Sequence, residues 1–135
     1  MIKESIYFPK NSRVGDAIVG IYKELGAKEG DEAVVLLRKN VAEYFHIDDN
    51  GLVISRTLIL SDEDEAEDIG SAVANDLIPW CGQNHPEPTL HGIHVRIFQY
   101  DYDSGKYKEI MKVENYGQIN DIEKIVTEYY RKIRD

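Results

Sequence analysis

Residues Leu90 to Glu114 read as a β-hairpin with two chemically different faces, and a two-faced hairpin dictates how the rest of the chain must cover it. Tyr102-Asp103-Ser104-Gly105-Lys106 supplies the turn, because Asp and Ser bond their own backbone and Gly takes positive φ freely. With Asp103 to Gly105 as a three-residue loop, Tyr102 faces Lys106 and the register follows by counting outward. Ile97 then pairs with Met111 and Val95 with Val113, with Ile93 on the same apolar, core-facing side. On the other side Phe98 pairs with Ile110, Tyr100 with Lys108, and Arg96 with Lys112. That face makes His94, Arg96, Phe98, Tyr100, Lys108 and Lys112 the candidate ligand- or partner-binding residues. Ring faces accept bases and Arg accepts anions in a bidentate manner. The same residues also read as ordinary cross-strand pairs, or as a dimer face.

The remaining elements can be read from periodicity. Ile2 to Phe8 is a short edge strand or packed arm ended by Pro9. Asn11 and Ser12 cap a helix whose stripe is Val14, Ile18, Ile21, Tyr22 and Leu25, and Gly26 stops it. Gly15 and Gly20 lie inside that helix and weaken it, so they either allow close packing or mean that the helix starts late. Ala33 to Leu37 is a continuous apolar run, the signature of a central strand covered on both sides. Strands follow at Val41 to Ile47 and Leu52 to Leu60, joined by the turn Asp48-Asp49-Asn50-Gly51, whose spacing does not fit a calcium loop. Arg56 interrupts an apolar row, which calls for an edge position with a carboxylate partner or, alternatively, an anion in a pocket. A second helix is expected from a Ser61 cap, with Ile78-Pro79 ending it. A third is capped by Asn120 and buries Ile122, Ile125, Val126, Tyr129 and Ile133. The expected fold is one α+β domain over residues 1–135 in the order β-α-β-β-β-α-β-β-α. Its mostly antiparallel sheet has five to six strands, with three helices packed on one face.

Charge narrows the partners. Twenty-five acids against 16 bases give a net charge of −9, which repels genomic nucleic acid and favours basic protein segments. A single Cys excludes an internal disulfide and fits a reducing compartment; no apolar run is long enough for a membrane span, and a cytoplasmic location is expected. Cys81, His85, His91 and His94 offer thiolate and imidazole. Their spacing matches no familiar zinc pattern, so neither metal nor cofactor is expected. No group orients a base for a Cys81–His85 nucleophile pair.

With the first strand set aside, the order α-β-β-β-α-β-β-α and the acidity resemble those of small acidic type III secretion chaperones, which implies a dimer with a protein partner. The first expectation is a non-catalytic, acidic, homodimeric binding protein of the inhibitor, immunity-factor, adaptor or chaperone type. The second is a small-molecule binder holding a nucleotide-like or phosphorylated anion on the hairpin. The third is a hydrolase or metal enzyme using the segment Cys81 to His94.

Overall fold

The computed structural model describes residues 1–84, 94–113, 118 and 121–134. Along the chain run β1 (Ile2–Pro9), α1 (Arg13–Leu25), β2 (Glu32–Arg38), β3 (Val41–Ile47), β4 (Leu52–Ile59), α2 (Ala66–Asn84), β5 (His94–Asp101), β6 (Lys106–Val113) and α3 (Asp121–Arg134). The α+β class and the element order are as expected. The strands form one sheet in the order β1-β4-β3-β2-β5-β6, in which β2 and β5 pair in parallel and the other neighbours are antiparallel.

Helix placement differs from the expectation of one covered face. Alternate residues of β2 enter separate cores: Ala33, Val35 and Leu37 join Ile69, Val73 and Leu77 of α2 and Ile122, Val126 and Tyr130 of α3. Val34 and Leu36 join Ile18, Val19 and Tyr22 of α1, with Phe45, Val53 and Phe98. So α1 covers one face, and α2 with α3 the other. The reason lies in β2 itself, where Ala33 to Leu37 are all 3% exposed or less. A strand that apolar on both sides leaves roughly 25 cal/mol per Å² unrealised on any face left open to water.

Two tyrosine hydroxyls hold the β2–β3 pair at opposite ends and from opposite faces. Tyr22 of α1 reaches the carbonyls of Glu32 and Phe45, at 3.0 and 2.8 Å. Tyr130 of α3 reaches those of Arg38 and Val41, at 2.8 and 3.3 Å. Burial pushes the Tyr130 phenol far above its usual range, so that hydroxyl stays a neutral donor.

Helix ends follow local chemistry, with two corrections. Ser12 caps α1 by accepting the Gly15 N–H, and Gly26 ends it at φ 70°. Ser61 does not cap α2: its N–H bonds the Asp64 carboxylate in a separate turn, and the helix begins at Ala66. Nor does Pro79 end α2, which continues to Asn84. Proline removes one helical N–H, and the carbonyl it would serve belongs to Asn75, an exposed residue that water can reach. Asn120 lies outside the described residues.

Gly70 is where α2 and α3 touch. A Cβ there would overlap Thr127 Oγ1 and lie 2.9 Å from the Glu123 carbonyl oxygen, so the two backbones can approach only if this residue is Gly. Gly70→Ala should cost about 2 kcal/mol or more in denaturant titration. Thr127→Ala should rescue it only in part, because the Glu123 carbonyl remains.

His46 is 3% exposed on the α2/α3 side of β3, its Nε2 3.4 Å from the Gly30 carbonyl. Burial lowers its pKa below the ordinary 6.5, although Gly30, Asp48 and Asp49 pull the other way. The unfolded chain therefore binds more protons, and the stability tied to neutral His46 is fully present above the unfolded pKa of about 6.5 and lost as pH falls below it through the lowered folded pKa. Denaturation midpoints should drop between pH 7.5 and pH 5, and His46→Gln should flatten that part of the profile.

Candidate functional site

The hairpin keeps the expected register at its far end and loses it toward the turn. Val95 pairs with Val113, Arg96 with Lys112 and Ile97 with Met111, but Phe98 faces Glu109, Gln99 faces Lys108 and Tyr100 faces Tyr107. The loop closes at Asp101–Lys106 instead of Tyr102–Lys106, and a bulge beside Ile110 absorbs the extra residue. Asp101 caps this longer turn, accepting the Asp103 N–H at 2.9 Å. The slip exchanges faces for the residues between bulge and turn. Ile110 packs on the α2/α3 core, Tyr107 joins the α1 side, and Lys108 leaves it.

The six candidate residues are therefore not one platform. His94, Arg96, Phe98 and Tyr100 alternate onto the α1 side, with Lys112 opposite Arg96. Phe98 is 3% exposed within the α1 core and offers no face for stacking. Arg96 is closed off. Its Nε and Nη2 donate to the Glu109 carboxylate at 2.6 and 3.1 Å, and Nη1 donates to the Gly26 carbonyl at 2.7 Å. The buried Glu32 carboxylate lies 3.7 Å away and is itself held by the Lys28 N–H. The Glu109 bond holds the Arg96 pKa above its usual value despite desolvation. Arg96 thus joins the C-terminus of α1 to the hairpin and neutralises a buried carboxylate. Arg96→Met should cost about 3 kcal/mol in denaturant titration, since it strands Glu32, whereas Glu109→Gln should cost about 1 kcal/mol or less.

Lys108 instead borders a groove of about 400 Å³ with Tyr100, Tyr102, Tyr129 and Lys132. Tyr100 meets Tyr102 and Tyr107 edge to face, with centroids 4.8 and 5.3 Å apart, and Tyr129 donates to the Tyr100 carbonyl at 3.3 Å. Asp101 and Asp103 line the same groove, so its charge is mixed. Residues 85–93, including His85 and His91, lie outside the described residues. Among the described residues no group of three His, Cys, Asp or Glu is placed to hold a metal ion, and no helix is long and apolar enough to cross a membrane.

The surface that sequence reasoning underrated is β1. Of the large hydrophobic side chains exposed among the described residues, Met1, Ile2, Ile6, Tyr7 and Ile59 gather on this edge. Among the described residues β1 pairs with β4 alone. The register sets the direction of its backbone groups. Leu60 N–H bonds the Asn40 carbonyl, so even-numbered β4 residues serve β3 and odd-numbered ones serve β1. Lys10 N–H on the Gly51 carbonyl agrees. The N–H and C=O groups of Lys3, Ser5 and Tyr7 therefore point away from the sheet. Arg56 anchors the edge from beneath, with both Asp76 oxygens at 2.7 Å and Ser5 Oγ at 2.6 Å, which is the carboxylate partner its apolar row called for. At the Met1 end lies the acidic turn Asp62 to Glu65, with Asp64 4.0 Å from the Met1 amine.

Comparison with protein-family models, with curated proteins and with solved structures finds no match for this chain. Its reading rests on its own geometry.

Proposed function

We propose that this chain is a non-catalytic, acidic binding protein whose partner is another polypeptide, in the manner of an inhibitor, immunity factor, adaptor or chaperone. One observation carries the reading: most of the exposed large hydrophobics collect on an edge strand whose outward backbone groups have no strand partner among the described residues, and an extended segment can add there as a further strand. Main-chain bonds would supply affinity, and Ile2, Ile6 and Tyr7 would select apolar side chains. The net charge of −9 and the acidic turn at one end of β1 favour a segment with basic residues.

The alternative, an anionic or nucleotide-like ligand on the hairpin, has less support, because Arg96 is bound by Glu109 and the Gly26 carbonyl and Phe98 is covered by α1. Selection from a random peptide library should enrich extended, apolar, Lys- or Arg-bearing sequences. Their titration should shift the amide resonances of β1 and be lost in Ile2→Glu/Ile6→Glu. Titration with ATP should leave the Arg96 side-chain signals in place. Saturable ATP shifts at Arg96 with a silent β1 would reverse the order of the two readings.

A further inference from the structure

We propose that the occupant of the β1 edge is β1 of a second copy of this chain, paired antiparallel about a two-fold axis through Ser5. The inference rests on the reading of β1 as the binding surface and names what binds there.

The two edges of the sheet are treated differently. β6 carries Lys106, Lys108 and Lys112 and a bulge against β5, the devices that keep an edge from pairing further. β1 has Lys3 near one end and Pro9 at the other, and among the described residues nothing guards Ser5-Ile6-Tyr7 between them. Ile6 and Tyr7 are 49% and 60% exposed there.

The chemistry of β1 selects one register. Outward-facing groups belong to Lys3, Ser5 and Tyr7, so a two-fold ladder must join odd residues to odd. Centring on Lys3 or Glu4 sets like charges directly opposite each other, which destabilises a pair. Centring on Ile6 or Tyr7 brings Pro9, which has no N–H, against Lys3 or Ser5. Centring on Ser5 places Ser5 against Ser5 of the second copy and Lys3 against Tyr7 of the second copy, using every outward N–H and C=O of the three residues. Ile2 then faces Phe8 across the seam on the α1 side.

Charge agrees with that arrangement. The chain end of β1 that leads into α1 carries Arg13 and Lys10, the latter paired with Glu29, and the opposite end lies beside Asp62, Glu63 and Glu65. Arg13, Asp62, Glu63 and Glu65 have no ion-pair partner among the described residues. An antiparallel two-fold brings the unpaired Arg13 of each copy toward the acidic turn of the other.

Sedimentation of the full chain should give a dimer. Ser5→Pro, which removes an outward N–H and the Arg56 side-chain bond but no β4 backbone bond, should give a monomer with unchanged circular dichroism, and Ser5→Ala, which loses the same Arg56 bond and keeps the N–H, should stay dimeric. In a Cys81→Ser background, oxidation should link Ser5→Cys to itself, and Lys3→Cys only to Tyr7→Cys in mixed samples. Arg13→Glu should weaken the dimer, and adding Glu63→Arg should restore it. A dimer that survives Ser5→Pro, or that cross-links in another register, overturns the proposal. A monomer whose β1 amides still respond to library-selected peptides removes the second copy and leaves the edge reading standing. A monomer with a silent β1 removes both.

Discussion

Double-sided burial of β2 is the constraint from which the rest of this fold follows. A strand with Val34, Val35 and Leu37 wholly inaccessible needs neighbours on both edges and cover on both faces. It has β3 and β5 beside it, α1 above, and α2 with α3 below. Tyr22 and Tyr130 then fix the β2–β3 pair from above and below, each placing one phenol against strand carbonyls. In a dry interior those bonds matter chiefly because an unpaired buried carbonyl or phenol would cost roughly 1–3 kcal/mol.

Much of this was legible in the chain. Strand and helix existence, the Ser12 and Gly26 signals and the carboxylate partner for Arg56 all follow from spacing and residue chemistry. Three helices on one face would leave the other side of the run Ala33 to Leu37 open to water, so that run by itself calls for cover on both faces, as α1 opposite α2 and α3 provides.

The site was less legible, for a different reason. A hairpin register counted from the turn depends on loop length, and Asp101 as turn cap in place of Tyr102 moves the count by one. The bulge at Ile110 then hides the slip, because the pairs beyond it come out right. Arg96 looked available because its partners, Gly26, Glu32 and Glu109, come from three separate elements. Local pattern cannot bring those together. The β1 edge did carry a signal, a short apolar strand closed by Pro9, but its weight depends on knowing that no other element covers it.

The parallel ladder between β2 and β5 bears on how the molecule forms. It aligns Glu32 with His94, so β2 gains its second neighbour only after β3, β4 and α2 have been threaded between the two. Loop-closure entropy must be met before that contact returns any stability, which puts this topology among the slower folders for its size. During synthesis, the most apolar strand in the protein leaves the ribosome well before β5 can pair with it. In that interval its open edge is the part of the chain most in need of shelter.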